Sequence, residues 1–205
     1  MGIASVERLP SVTELFMNAP HMATARLKTG NPNLLSETSD NFDITLNYEN
    51  DGFYAYASFY VTDVDNYITL MDEDEDHDGH EDEHHDEHED EHEDEHDDHG
   101  HGNLIHANYV QEDAEFDGYE FEFGKSFDMD SGVLNLSFGR DVVNAKFSDG
   151  HYVPRINPSR NVYAMSYERN NLVFKNNLKD FDKQRDIGEG ECITDAYRML
   201  DSRLT

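Results

Sequence analysis

Apolar and polar residues alternate with a period of two along most of this chain. In "NFDITLNYE" (41–49), Phe42, Ile44, Leu46 and Tyr48 alternate with Asp43, Thr45, Asn47 and Glu49. That spacing predicts a strand with one apolar and one polar face. Asn50-Asp51-Gly52 follows, three residues that tolerate the positive φ of a tight hairpin. "FYAYASFYVTDVDNYITL" (53–70) then reads as the returning strand. Downstream, "GYEFEFGKSF" (118–127) sets Tyr119, Phe121 and Phe123 against Glu120 and Glu122. "DMDSG" (128–132) predicts a turn, and "VLNLSFGRDVVNAKF" (133–147) returns with Leu134, Leu136 and Phe138 opposite Asn135, Ser137 and Gly139. A third pair, "NVYAMSYE" (161–168) and "LVFKNNLKDFD" (172–182), joins across Arg169-Asn170-Asn171, and a last strand starts within "DAYRMLDSRL" (195–204). The expectation is all-β: an antiparallel meander of about seven strands.

The connections carry more information than the strand count. Short turns at 50–52, 128–132 and 168–171 alternate with long polar links at roughly 10–38, 72–108, 148–160 and 182–193. Antiparallel transmembrane barrels have that arrangement, with short periplasmic turns and long extracellular loops. The aromatic-rich face would then meet lipid, and the acidic and amide face a wet interior. A soluble sandwich also alternates, but it spreads long and short loops over both ends. No run of about 18 apolar residues occurs, so no membrane-spanning helix is expected. "MGIASVERLPSV" at the start has no cationic stretch followed by an apolar one, so no export signal is read there.

Charge changes the picture at one place. The formal net charge is −31, but residues 72–102 hold 19 Asp and Glu and no Lys or Arg. With those set aside, 27 acidic residues stand against 15 basic ones, a net of −12. Such a balance repels nucleic acid and anionic lipid and favours cations. Cys192 is the only cysteine, which excludes an intrachain disulfide and thiolate-rich zinc sites.

Several stretches resemble the barrel region of TonB-dependent outer-membrane receptors. They are "ERLPSVTELF" (7–16), "GNPNLLSETSDNFDITLNY" (30–48), "FYVTDVDNYI" (59–68), "YVQEDAEFDGYEFEF" (109–123) and "KFSDGHYVPRINPSR" (146–160). The branch most similar is the outer-membrane zinc receptor, which carries His- and acid-rich extracellular loops. The resemblance implies a 22-stranded barrel around an N-terminal plug, outer-membrane lipid as surroundings, and uptake driven by the TonB complex. Neither a plug nor a TonB-contacting segment is read in 1–205, so the expectation is a partial barrel from a longer receptor, with 72–102 as an inserted, disordered extracellular loop.

That loop contains His77, His80, His84, His85, His88, His92, His96, His99 and His101. Neutral imidazole suits zinc, copper and nickel, and carboxylate adds charge. His84, His88, His92 and His96 recur every four residues, but like charges and the lack of apolar residues oppose a metal-free helix. Zn²⁺ is the expected cargo, with Cu²⁺ or Ni²⁺ also compatible, and several overlapping sites are expected. Protons compete with metal there, so binding should weaken in mild acid. His21, in "NAPHMAT", His106, and His151, in "SDGHYVP", are weaker candidates, and Asp63, Asp65 and Asn66 could line the same path. No catalytic constellation is visible: "GEGEC" (188–192) lacks phosphate-loop spacing, and "HHDEH" (84–88) is too charged for a protease helix. Two other readings stay open, a soluble metal-buffering β protein and a receptor of the same fold for chelated iron or another ligand.

Overall fold

The computed structural model describes residues 1–73 and 104–205. Ten strands form one sheet: β1 (Gly2–Arg8), β2 (Asn18–His21), β3 (Arg26–Thr29), β4 (Glu37–Asn50), β5 (Phe53–Asp72), β6 (Ile105–Met129), β7 (Gly132–Phe147), β8 (Arg160–Arg169), β9 (Leu172–Phe181) and β10 (Tyr197–Leu204). Their order is β1-β4-β5-β6-β7-β8-β9-β10, antiparallel throughout, with β2 and β3 off that path. β1 and β10 end the path without pairing, so the sheet is open. The one helix of more than a turn among the described residues is α1 (Val12–Phe16), started by a capping box between Ser11 and Glu14. No helix among the described residues is long and apolar enough to cross a membrane.

The alternation places β4, β5 and β7 to β10 as read, but β6 starts at Ile105, 13 residues before the strand expected at 118–127 and inside the link expected at 72–108. At the first hairpin Asp51 and Gly52 take φ of 47° and 71°, the paired positive angles of a two-residue turn that follows strand twist. Three short strands were not foreseen. β1 precedes the first predicted strand, and β2 and β3 lie inside the link expected at 10–38. β3 also breaks the antiparallel rule, running parallel to β6 with Arg26 opposite Ile105 and Thr29 opposite Asn108. Ala107 and Asn108 already pair with Asp72 and Met71 on one edge. β3 therefore takes the other edge, which β7 leaves free above Ala114.

Register sorts the side chains onto two faces, because cross-strand partners share a side. One face carries Ile44, Phe59, Tyr119 and Val142 in a row, with Phe123, Phe138, Tyr163 and Leu178 two rows on. Aromatic rings run along it, from Phe59–Tyr119 at 6.2 Å to Phe123–Phe138 at 5.5 Å and Phe138–Tyr163 at 5.0 Å. These side chains stay open: Phe59 is 53% exposed and Leu200 69%. On that face the Ser202 hydroxyl donates to Asn176 Oδ1 at 2.5 Å. On β5 the apolar run from Phe53 to Val61 spans about 26 Å along the strand. At the usual barrel tilt it is roughly 20 Å tall, close to the apolar band of membrane barrels. In register with Ala57 of that run and with Phe121, Arg140, Asn161, Asp180 and Arg198 make a polar row across β7 to β10 on the same face, joined by Arg140–Asn161 at 3.0 Å and Arg198–Asp180 at 2.8 Å.

The opposite face is polar. Tyr54 and Tyr56 donate to Glu122 and Glu120, Thr45 meets Ser58 at 3.1 Å, and Thr62 donates to Asn41 at 2.7 Å. The buried apolar cluster sits on the same side near the loop end, where Ala114, Ala145, Phe147 and Val153 pack with Tyr67, Met71, Phe116 and Ile156. Gly118 is needed because a Cβ there would meet the Tyr60 hydroxyl and the Val142 carbonyl oxygen. Gly118→Ala should therefore cost about 1–3 kcal/mol, as overpacking does. The check is the urea midpoint of the refolded chain, which should fall with the slope unchanged.

Candidate functional site

All long connections leave one end of the sheet. β1 runs toward it and β4 away; β5 ends there at Asp72 and β6 begins there at Ile105. Residues 148–159 and 182–196 cap the same end, while the turns at 51–52, 130–131 and 170–171 lie at the other. This is the division of long and short connections that the sequence implies.

A bulge in β5 shapes the approach. Val64 pairs with Ala114 but Tyr67 with Glu112, so Asp65 and Asn66 together face Asp113. Asn66 takes a φ of 55°, and its N–H donates to Asp113 Oδ1 at 2.8 Å. Gln111 Nε2 donates to the carbonyls of Asn66 at 3.0 Å and Leu35 at 2.8 Å, tying the 30–36 crossover to the sheet. Asp63 and Asp65 do not line the polar face as expected. Asp63 pairs with Glu115 and Asp40, which places it on the aromatic side, above the apolar band and exposed.

Above the bulge, the stem of the acidic segment is fastened. Arg26 gives Nε and Nη2 to the two Asp72 oxygens, both at 2.6 Å. The Arg26 guanidinium holds the Asp72 carboxyl below the usual range, and Asp72 raises Arg26 in return. Glu73 N–H donates to the His106 carbonyl at 2.8 Å, Asn108 donates to the Glu73 carboxylate, and His106 Nδ1 stands 4.0 Å from Glu73 Oε2.

His151 belongs to a second cluster. Its carbonyl accepts from Phe147 N–H at 2.9 Å, and its N–H and Nδ1 meet the Asp149 carboxylate at 2.9 and 2.6 Å. The bond from the His151 backbone is the main cause of a lowered Asp149 carboxyl, with the imidazole adding to it. These two residues line a cleft of about 520 Å³ with Glu112, Met71, Phe147 and Tyr152. Burial pushes the Glu112 carboxyl up, and the Asp149 charge adds to it.

The weaker histidines are not brought together. His21 shares a row with Arg26 and Ile105, and His106 the next row with Leu27 and Pro20, so they fall on opposite faces. His21 Nδ1 meets Thr24 Oγ1 at 3.0 Å. Among the described residues no group of three His, Cys, Asp or Glu is placed to hold a metal. The nine histidines from His77 to His101, and the loop assigned to 72–102 apart from its first two residues, lie outside the described residues.

Sequence reasoning missed Arg26. Nothing local marks it, since its partner lies 46 positions away. The linkage sign is that of a depressed carboxyl. The clamp contributes fully above the unfolded Asp value near 3.9 and is lost as pH falls through the lower folded value. The amides of Glu73 and Ile105 should keep their hydrogen-exchange protection from pH 8 to 5. Arg26→Ala should lower it across that whole window.

A profile described as TonB dependent receptor-like, beta-barrel matches residues 1–201. Among solved structures, the fold is similar to "Copper transporter OprC", with a TM-score of 0.69 at 18% identity over 97% of this chain and 28% of that one. It is also similar to the FrpB iron transporter from Neisseria meningitidis (F3-3 variant), with a TM-score of 0.47 at 11% identity over 86% of this chain and 25% of that one. A third is the siderophore receptor PirA from Pseudomonas aeruginosa, with a TM-score of 0.39 at 15% identity over 99% and 36%. The chain thus spans about a quarter to a third of the structures it matches.

Proposed function

The chain belongs to the TonB dependent receptor-like β-barrel family, and from that premise we propose that it forms part of the wall of an outer-membrane metal receptor. The aromatic face meets lipid, the Tyr–Glu face lines the lumen, and the loop end faces the outside. The observation that supports this most is the aromatic-rich, mainly apolar face from β4 to β10 with every long connection at one end. A family of receptors and transporters agrees with the absence of any catalytic constellation in the sequence.

Metal capture belongs to residues 72–102. Nine imidazoles among 19 carboxylates offer many exchangeable ligand sets and concentrate cations at the mouth by electrostatic focusing. Zinc is the expected ion. Copper binds nitrogen sites more tightly by the Irving–Williams order, so availability and geometry decide between them. Transport into the periplasm and coupling to the TonB complex are properties of the intact receptor.

Two measurements test this reading. Titrating Zn²⁺ into the full chain in detergent at pH 7.4 should show more than one ion bound. That binding should vanish at pH 5.5 and when 74–103 is replaced by a Gly-Ser linker. Heat equal to that of Mg²⁺ at the same ionic strength would reduce the segment to a polyanion. The lipid-facing assignment predicts that Leu136→Arg, at a position whose cross-strand partner on that face is Lys125, costs about 1–3 kcal/mol in lipid refolding, between the midplane and interface penalties for a cation. Asn135→Arg, one residue away on the polar face, should cost under about 1 kcal/mol. Equal penalties would sink the barrel-wall reading.

A further inference from the structure

Four of the seven strand pairs along this sheet have no tight turn to align them. β4–β5, β6–β7 and β8–β9 are closed at 51–52, 130–131 and 170–171. A turn that short fixes register by its own geometry. β1–β4, β5–β6, β7–β8 and β9–β10 are joined through 9–36, 73–104, 148–159 and 182–196 instead. Loop-closure entropy barely changes when links of such length gain or lose two residues. A two-residue slip also keeps every side chain on its own face, so the apolar pattern does not reject it. Specific side-chain pairs must do so.

An arginine–carboxylate pair closes the loop end of each of those four. Arg8 faces Glu37 in the last pair of β1 and β4, and its Nη2 donates to Oε2 at 2.9 Å. Arg160 faces Asp141 in the last pair of β7 and β8, and its Nε donates to Oδ1 at 2.8 Å. Arg198 faces Asp180 one position in from the end of β9 and β10, and its Nε and Nη2 donate to the two carboxylate oxygens at 2.8 and 3.4 Å. At the end of β5 the carboxylate is Asp72, which Arg26 reaches from β3 across β6. Among the described residues no ion pair joins the two strands of β4–β5, β6–β7 or β8–β9. The pairs fall where the turns are missing.

We propose that these four pairs are register clasps: they do at the loop end what tight turns do at the other, and they leave the wall indifferent to the length of the links above it. A guanidinium fork suits this task, because it donates to a carboxylate only in a few orientations. A slip of two would set Arg8 opposite Leu35 or Ser39, and Arg160 opposite Val143 or Gly139, leaving the charges unpaired. Exposed ion pairs add little to overall stability. Here the comparison is between two registers that bury the same apolar face, and only one of them pairs the charges. The inference holds whatever cargo the receptor carries.

The test uses the full chain carrying Cys192→Ser, refolded in detergent. Ser137→Cys with Ala164→Cys reports the native β7–β8 register. Asn135→Cys with Ala164→Cys reports the slip that sets Arg160 opposite Gly139. Arg160→Asp should lower the yield of the native disulfide roughly threefold or more and raise the slipped one, as loss of an ion pair and gain of a like-charge contact entail. Adding Asp141→Arg, which exchanges the two charges, should restore both yields. Two glycines inserted after the exposed Asn157 should leave the native disulfide unchanged while the clasp is intact. Asn144→Asp, opposite Asp117 across β6 and β7, should not alter the disulfide between Ser126→Cys and Asn135→Cys, because the turn at 130–131 holds that register. Should Arg160→Asp fail to fold, Arg160→Gln gives the loss and the exchanged pair the rescue. A native disulfide that survives loss of Arg160, that does not return in the exchanged pair, or that falls on the glycine insertion overturns the proposal. So does an equal loss in the Asn144→Asp control.

Discussion

A backbone amide or carbonyl in hydrocarbon has nothing to bond except another backbone group. That constraint governs this chain between its turns and its loops. β4 to β9 are paired on both edges over long runs, and β5 and β6 alone share a ladder from Phe53–Lys125 to Asp72–Ala107. Only when that ladder is complete can one face be given over to rings and branched chains, as it is here. Side chains follow the same economy: among the described residues no buried side-chain nitrogen or oxygen lacks a hydrogen-bond partner. β1 and β10 end the path with an open edge each, and the family's larger barrel would supply their neighbours.

The two ends of the sheet solve different problems. At the turn end, two-residue connections return the chain with little side-chain packing. At the loop end, packing takes over. Val153 and Phe147 close a small apolar cluster, Gln111 fastens the crossover, and Arg26 fastens the stem of the acidic segment. The end of β5 at Asp72 takes a firm base from elsewhere in the chain. The hairpin of β2 and β3 provides that base from 46 positions upstream.

Legibility in the sequence followed the range of the interaction. Period-two alternation and Asn-Asp-Gly-type turns are local, so "NFDITLNYE" and its successors announced β4 to β9 directly, except the first half of β6. β2 and β3 are four residues each, and "NAPH" has a proline and no alternation, so nothing local announced them. Their parallel contact with β6 depends on chain that returns much later. The His151–Asp149 pair is two residues apart and was within reach, whereas Arg26 and Asp72 meet only once the loops are folded. Asp63 and Asp65 were read as lumen residues because they sit at a strand end, but strand position does not reveal the face.

The bulge at Asp65–Asn66 acts like a phase shift in a wave. Below it, the even-numbered residues of β5 belong with Glu120 and Glu122; above it, the odd-numbered ones do. Asp72 reaches Arg26 only because of that half-period slip. Deleting one residue there would leave every hydrogen bond below intact while turning Met71 and Asp72 inside out, releasing the acidic segment from its clamp. The strand is in effect two rulers joined out of step, and a single-residue insertion or deletion at the joint re-aims the whole upper part.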